Sequence, residues 1–371
     1  MASDLDFILA TPENEAHIRQ LLRENPLAGD LHVALEREPD AFYAAGISGD
    51  RSDLLLVYRT TGGRLLGTAG RFELDVFING TPTRLGYLGE LRFEGGLKAR
   101  RSLLLEGYRE MRRLHEAGSV PYYLTTIIES NTSTRRLLEA GLADMPTYRP
   151  LETLVTFTIP VAAGARRRSV LPIADSANDR DLPAIADRLA HYGAGYQFFP
   201  EWREDVLRNP ARCRGLDAKD FVVCRDHERV TGCVALWDQR AFKQTVVTGY
   251  ARKLARMRPA FNVVAPLMRR PRLPTPGTPL QNAFLSHVAV DPDDDRDFVA
   301  LVAQSCQAAM ERGLDYVTLA LAERHPLVPV LRRHFPVHSY NSIIYIVYWD
   351  DGADLAASLD DRIPHPEVAI L

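Results

Sequence analysis

Apolar residues recur at helical spacing soon after the start of the chain and again near its middle. Near residue 5 a strand-like run precedes a stretch in which Ile18, Leu21 and Leu22 lie three and four residues apart, which places them on one face of a helix. A second strand-like run near residue 170 precedes a stretch with the same spacing. Its apolar residues are Leu182, Ile185 and Leu189. Each pattern predicts a strand followed by an amphipathic helix.

The two stretches begin a longer repeat. Each is followed by a hairpin, in which Gly67 corresponds to Gly232, and by a further strand, in which Glu90 corresponds to His287. A long helix, a strand, a short helix and a final strand then complete each half. The predicted order is β-α-β-β-β-α-β-α-β, present twice.

This order predicts an α/β protein with two tandem domains, each a mixed sheet covered by helices. Residues 164–169, GARRRS, consist of small residues and arginines, a composition typical of an exposed linker. We therefore expect domains at residues 1–165 and 166–371. The second domain contains an insertion at residues 241–279. Whether the two sheets meet face to face or edge to edge is left open by the sequence.

Composition narrows the classes of function. The 371 residues are 46% hydrophobic and 25% charged, with a formal net charge of −3, which is typical of a globular protein without bulk attraction to nucleic acid. The N-terminus lacks the regions of a signal peptide, and no apolar run reaches the roughly 18 residues of a membrane helix. We therefore expect a cytoplasmic protein that binds neither membrane nor nucleic acid.

Motifs for several enzyme classes are missing from the sequence. No G-x-x-x-x-G-K-[ST], H-E-x-x-H or G-x-S-x-G pattern occurs, which disfavours nucleotide hydrolysis, zinc proteolysis and serine hydrolysis. No C-x-x-C pair and no histidine cluster at ligand spacing occurs either, so no metal site is expected. We expect buried or idle thiols at Cys213, Cys224, Cys233 and Cys306.

Two segments of the first half carry recognisable signatures. They are residues 91–105, LRFEGGLKARRSLLL, and residues 131–141, NTSTRRLLEAG. With the order of elements, they resemble the GCN5-related N-acetyltransferase superfamily, and the similarity extends over nearly the whole chain. The resemblance implies acetyl-CoA as the acyl donor, an amine of a small molecule or peptide as the acceptor, and no metal.

The first segment supplies the expected CoA-binding residues. Leu91, Arg92 and Phe93 match the strand end of the family signature, and a loop that opens a helix follows. A helix N-terminus directs free backbone N–H groups and a positive dipole at a pyrophosphate. The loop residues are Lys98, Ala99, Arg100, Arg101, Ser102 and Leu103. Because cations and apolar residues replace the family's glycines, a solvated basic helix start is the alternative interpretation.

The second segment supplies a further cofactor contact but lacks an acid. Asn131 matches the family residue that lies near the pantetheine, and it is equally typical of a helix N-cap. Leu138 stands where many members have the tyrosine that protonates the leaving thiolate. Tyr148 is the candidate acid in its place, with an ordinary half-buried loop tyrosine as the alternative.

Glu90 is the candidate base. An alkylamine is mostly protonated at pH 7, so acyl transfer requires a group that takes its proton, and many family members place a Glu or His on this strand. Strand alternation puts Glu90 and Arg92 on one face, so a structural ion pair between them is the alternative. Tyr87 is the second candidate, and backbone N–H groups of the strand would stabilise the oxyanion.

The second half differs in charge. Its loop at residues 291–297 carries five carboxylates and one Arg, which would repel a pyrophosphate, so we expect this copy to be degenerate for CoA. His287 is either a base or a core residue. The insertion lies within a stretch without Asp or Glu, between Gln239 and Val290. It is interpreted as a basic arm for an anionic ligand or, more simply, as a solvated amphipathic helix packed against the first domain.

The sequence thus favours an N-acetyltransferase that moves an acetyl or short acyl group from acyl-CoA to an amine. One alternative is a non-catalytic tandem module that binds acyl-CoA or a metabolite. The other is an acyl- or aminoacyl-transferase with a larger donor, which only the basic insertion supports. The fold class alone does not choose the acceptor, and the oligomeric state is left open.

Overall fold

The structure, a computed structural model, describes residues 4–95, 101–118, 120–166, 174–265, 267, 271–293 and 295–371. Its strands are β1 (Leu5–Leu9), β2 (Leu31–Glu36), β3 (Arg51–Arg59), β4 (Leu65–Ile78), β5 (Thr81–Phe93), β6 (Tyr123–Ile128), β7 (Thr147–Pro160), β8 (Ala174–Ser176), β9 (Phe221–Asp226), β10 (Arg229–Trp237), β11 (Gln244–Tyr250), β12 (Thr278–Pro279), β13 (Asn282–Ala289), β14 (Tyr316–Ala322) and β15 (His338–Tyr348). Its helices are α1 (Glu15–Glu24), α2 (Ala41–Ser48), α3 (Arg101–Glu116), α4 (Thr132–Leu138), α5 (Val161–Gly164), α6 (Leu182–Gly193), α7 (Glu204–Leu207), α8 (Arg252–Val264), α9 (Asp295–Glu311), α10 (Leu327–His334) and α11 (Ala353–Ala357).

The predicted α/β class with a mixed sheet is confirmed. Twelve strands form one sheet in the order β1-β3-β4-β5-β6-β15-β7-β14-β13-β10-β9-β8, and β12-β11-β2 form a second, smaller sheet. The predicted repeat of strands and helices is present in both halves. The sequence patterns missed β2 and α2, whose segment was not assigned to any element.

The two halves meet edge to edge and exchange their last strands. Strand β15, from the end of the chain, lies between β6 and β7 and pairs with both of them. Strand β7, from the end of the first half, pairs on its other side with β14. A single sheet therefore runs through both halves. The domain limits 1–165 and 166–371 remain a prediction, and the sheet itself has no break at that point.

A bulge interrupts the fourth predicted strand in each half, the strand that carries Glu90 or His287. In β5 the register with β4 shifts between Thr68 and Gly70, opposite Glu90, whose φ is 53°. In β13 the register with β10 shifts near His287, whose φ is also 53°. Because a bulge adds an unpaired residue, the simple alternation that placed Glu90 and Arg92 on one face does not hold here.

Beyond each bulge the sheet splays open. Strands β5 and β6 pair only at Gly86–Tyr123 and Tyr87–Leu124, and β13 and β14 pair only from Asn282 to Phe284. The first gap opens into a cavity. The second is filled by the C-terminal segment, because the Glu367 carboxylate accepts the His287 backbone N–H at 2.9 Å and the turn Val368–Ile370 packs between the two strands.

The insertion attaches the second half to the first. Its strand β11 pairs antiparallel with β2 from Gln244–Glu36 to Tyr250–Leu31. Helix α8 buries none of its side chains. The insertion therefore has a solvated helix, and its strand packs against the first half, as the simpler interpretation expects. Lys243, next to β11, lies at the edge of the cavity.

Candidate active site

A cavity of about 1080 Å³ lies where β5 and β6 part. Its walls come from β4, β5, α3, α4 and β7 of the first half, and from β2 and the residues around β11. The predicted site residues that line it are Tyr87, Glu90, Leu91, Arg92, Phe93, Leu103, Asn131 and Tyr148. Lys98, Ala99 and Arg100 lie outside the described residues, and of Arg101 and Ser102 only the backbone, in the first turn of α3, is described.

Glu90 is held by a buried arginine that the sequence did not single out. Arg37 Nη2 donates to Glu90 Oε1 at 2.7 Å, and the Arg37 side chain is 7% exposed against 25% for Glu90. The anticipated ion pair with Arg92 is thus replaced by one with Arg37. Burial raises the pKa of Glu90, but Arg37, with help from Lys243 and Arg92, outweighs it and holds the pKa below its ordinary value. Glu90 is therefore ionised at neutral pH.

Two further cations face the same part of the cavity. Burial and Arg37 lower the pKa of the Lys243 ammonium to about 7, although Glu90 and Glu367 oppose the shift. The Lys243 Nζ donates to the carbonyl of Ala369 at 3.0 Å. Burial also lowers the pKa of Arg92, with Glu90 opposing and Arg37 adding to the effect. Positive charge is therefore concentrated around Glu90.

Tyr148 is a buried strand residue, not a half-buried loop residue. It belongs to β7, and its hydroxyl shares a short hydrogen bond with that of Tyr108 on α3. Burial, reinforced by Tyr108, raises the pKa of Tyr148 well above its ordinary value. The hydroxyl is consequently neutral at physiological pH and lines the cavity as a potential proton donor.

Tyr87 lies on β5 next to the point where β6 departs. Its side chain is buried, and burial raises its pKa to about 12. A phenol that keeps its proton to this pH is a poor base at neutral pH. Tyr87 is therefore a weaker candidate for the base than Glu90.

Asn131 performs the local role anticipated for it. Its side chain accepts the Thr134 backbone N–H at 3.3 Å and caps α4, and the residue also lines the cavity. Leu138, which stands in the place of the family tyrosine, is buried on the same helix and lines the cavity as well.

Part of the cavity lining is apolar. Leu55 and Val57 of β3 and Leu104 and Met111 of α3 all line the cavity and belong to one buried cluster. These side chains offer no hydrogen bonds and favour a hydrocarbon over water. The space beneath α3 is therefore suited to an alkyl chain.

His287, the counterpart of Glu90, has no access to the cavity. It is fully buried, packs with its ring centroid 4.0 Å from that of Trp202, and pairs Nδ1 with the Ser286 hydroxyl at 2.8 Å. Burial lowers its pKa to about 3. These contacts match the core interpretation of His287 rather than a base.

Sequence reasoning missed three residues of the site: Arg37, Tyr108 and Lys243. Arg37 lies in the unassigned segment and carries no sequence signal for its place beside Glu90. Tyr108 lies in the predicted long helix, where its spacing from Leu104 and Met111 indicates only an apolar helix face. Lys243 did have a signal, because it belongs to the stretch without acids.

Comparison of whole structures identifies the fold. Two structures of Saccharomyces cerevisiae N-myristoyltransferase with bound myristoyl-CoA superpose with TM-scores of 0.58 and 0.60, over 94% of this chain and 83% and 79% of theirs, at 12% and 11% identity. The chain has the tandem acyl-CoA N-acyltransferase fold. The expected resemblance is thereby confirmed at the level of fold. A GCN5-related N-acetyltransferase from Anabaena variabilis matches at a TM-score of 0.48, 10% identity and coverage of 92% and 72%.

Neither a family model nor a curated protein sequence matches the chain. Among the described residues, no helix has the length and apolarity needed to cross a bilayer. Within the same residues, no three His, Cys, Asp or Glu side chains are grouped as metal ligands.

Proposed function

We propose that the protein transfers an acyl group from acyl-CoA to an amine. The observation that carries the proposal is the gap between β5 and β6, which opens on a cavity lined by a carboxylate, Glu90, and a neutral phenol, Tyr148. In the proposed reaction the thioester lies along the splayed edge of β5. The tandem fold supports this assignment, while the choice of donor and acceptor rests on the cavity.

The proposed chemistry is a direct attack. The amine nitrogen bonds to the thioester carbon, Glu90 accepts the proton that the nitrogen loses, and backbone N–H groups near the bulge stabilise the oxyanion. The C–S bond then breaks, and the thiolate of CoA takes a proton from Tyr148. Holding the two reactants in one cavity supplies much of the acceleration.

Binding of acetyl-CoA tests the donor site directly. We expect calorimetric titration to show one site per chain in the wild type and weaker binding after Lys98→Ala, Arg100→Ala and Arg101→Ala are combined, because this variant removes the cations of the proposed pyrophosphate loop. Absence of both binding and turnover at millimolar acetyl-CoA would instead favour a non-catalytic module.

A second candidate is a donor with a longer acyl chain, which the apolar space beneath α3 favours. If that space holds an alkyl chain, affinity rises by about fourfold for each methylene that becomes buried, from acetyl-CoA through octanoyl-CoA to myristoyl-CoA. A Met111→Trp variant fills the space and removes this gain, without weakening acetyl-CoA. Met257→Trp, at a site that is 55% exposed on α8, is the matched control. Equal affinity across the series in the wild type would leave acetyl as the donor.

Tyr148 and Tyr108 offer a matched test of the acid. Each of Tyr148→Phe and Tyr108→Phe removes one hydroxyl from the same buried hydrogen bond. If Tyr148 protonates the thiolate, only Tyr148→Phe lowers kcat, by about 10²-fold, whereas both variants lose similar stability. A donor whose thiol has a low pKa leaves readily as a thiolate and does not need the acid. In single-turnover experiments with such a donor, the rate loss of Tyr148→Phe should therefore be smaller. Equal kcat values for the two variants would remove Tyr148 from the mechanism.

A further inference from the structure

The cavity holds more positive than negative charge. Among the described residues, its charged lining side chains are Glu24, Arg37, Glu90, Arg92, Arg240 and Lys243. Arg240 is neutralised by Asp238, with Nη2–Oδ2 at 2.7 Å and Nε–Oδ1 at 2.9 Å. Glu90 is engaged by Arg37. The charges that remain around Glu90 are those of Arg92 and Lys243.

These cations have donors to spare. The Arg37 Nε is buried and has no hydrogen-bond partner among the described residues. Within the described parts of the chain, Arg92 and Lys243 donate to backbone carbonyls, of Leu91 at 3.5 Å and of Ala369 at 3.0 Å, rather than to carboxylates. Arg92 and Lys243 are partly buried, and a partly buried cation without a carboxylate hydrogen-bond partner is costly, so the arrangement is adapted to an anion that arrives with a ligand.

We propose that the acceptor of this enzyme carries an anionic group, a carboxylate or a phosphate, which binds between Arg37, Arg92 and Lys243 while its amine faces Glu90. The inference rests on the proposed acyl transfer and adds the class of acceptor to it. Arginine and lysine together suit such a group, because the guanidinium fork binds two oxygens and the ammonium adds a compact charge.

The place of the cluster favours the acceptor over the phosphates of the donor. Arg37 follows β2, and Lys243 precedes β11, so both belong to the wall made by the paired strands of the smaller sheet. The donor's pyrophosphate is assigned by the sequence resemblance to residues 98–103, a different part of the chain from β2 and β11. Arg92 lies on β5.

Paired probes test the charge of the acceptor. Linear ω-amino acids from glycine to 6-aminohexanoate are compared with their amides, which keep the amine and lose the anion. We expect at least one acid to bind about 10- to 100-fold tighter than its amide in the presence of CoA, as befits charge-assisted hydrogen bonds. The amides have the less basic amines, so protonation of the amine does not explain a preference for the acids.

Variants assign the preference to the cluster. Arg92→Gln is expected to abolish the advantage of the acid and to leave amide binding unchanged. Because Arg92 also belongs to the predicted CoA-binding segment, acyl-CoA affinity is measured alongside, and any loss there should be smaller than the loss of acid binding. Arg240→Gln removes a cation of the same cavity that is already paired with Asp238, so the advantage of the acid should persist. A loss of acyl-CoA affinity equal to the loss of acid binding in Arg92→Gln would reassign the cluster to the donor's phosphates and overturn the inference.

Proton uptake gives an independent readout. Arg37, Glu90 and Glu367 are the charged groups that act on Lys243, and a bound anion would favour its charged form. At pH 8 we expect acid binding to take up a fraction of one proton, visible as different heats in triethanolamine and Tris buffers, neither of which supplies a competing anion, and Lys243→Met to remove that difference. Equal binding of acids and amides to the wild type would overturn the inference whether or not acyl transfer occurs, whereas failure to bind acyl-CoA would count against the proposed function alone.

Discussion

Replacement of Glu90 by glutamine is expected to lower kcat by about 10²- to 10⁴-fold at neutral pH, which is the range typical for loss of a general base. Glutamine keeps an oxygen that can accept the hydrogen bond from Arg37 Nη2, now at 2.7 Å from the carboxylate. It removes the negative charge that takes the proton of the attacking amine. Steady-state kinetics with an alkylamine acceptor would measure the effect, and acyl-CoA affinity should be retained.

A less basic acceptor separates catalysis from structure. An aryl amine or an acyl hydrazide is neutral at pH 7 and has little need of a base, so the difference between wild type and Glu90→Gln should shrink towards onefold. A purely structural ion pair with Arg37 predicts a defect of the same size for every acceptor. A constant defect, accompanied by lower thermal stability, would therefore assign Glu90 to the ion pair.

The repeat was visible in the sequence because each half must bury a sheet face against helices, which requires apolar residues at fixed periods. The equivalence of Glu90 and His287 emerged from that register, and the structure places both at a bulge with the same φ. Local patterns therefore located the strand on which the candidate base lies, and the N-cap at Asn131, since both depend on neighbours in the chain.

Contacts between distant segments could not be predicted in this way. Exchange of β7 and β15 leaves the alternation of each strand unchanged, because either neighbour presents the same hydrogen-bonding edge. Arg37 and Lys243 reach Glu90 only because β2 pairs with β11, a register between residues more than 200 apart. The bulge also defeated the expectation that Glu90 and Arg92 share a face, since one extra residue reverses the alternation.

The two gaps in the sheet differ in whether the C-terminal segment fills them. In the first half the splayed strands leave an open cavity beside Glu90. In the second half the Glu367 carboxylate takes the backbone N–H of His287, and the following turn fills the space between β13 and β14. The same segment supplies the Ala369 carbonyl to Lys243. Filling of the second gap thus helps to shape the first site.

Acidification is expected to destabilise the protein steeply. Burial lowers the pKa values of His287 and His325 to about 3 and that of His365 well below 6.5, whereas the unfolded chain binds protons at these residues near pH 6.5. Below pH 6.5 these histidines are therefore protonated in the unfolded state but not in the folded state. Each of them lowers the free energy of unfolding by about 1.4 kcal/mol for every pH unit below 6.5. Stability falls as pH falls.

One buried carboxyl opposes this trend. Burial raises the pKa of Glu367 to about 7, so between pH 7 and its unfolded value of about 4.5 the folded state holds a proton that the unfolded state lacks. The stabilisation from Glu367 is lost as the pH rises through about 7. As the pH falls from about 7 to about 4.5, it compensates for the destabilisation by one of the histidines. The free energy of unfolding should therefore drop by about 2 to 3 kcal/mol between pH 6 and pH 5, measured by urea denaturation at each pH.

His325 allows the source of the slope to be identified. Its Nε2 lies 3.0 Å from the Tyr192 hydroxyl in a fully protein-lined cluster that also contains His365. A His325→Gln variant retains a polar group for Tyr192 but cannot titrate, so the slope should decrease by about 1.4 kcal/mol per pH unit. His227→Asn, at a side chain that is 96% exposed, should leave it unchanged. Glutamine does not titrate, so any contribution of His325 to the pH dependence of stability must disappear in this variant. An identical slope in the wild type and His325→Gln would therefore show that the acid sensitivity arises from other residues.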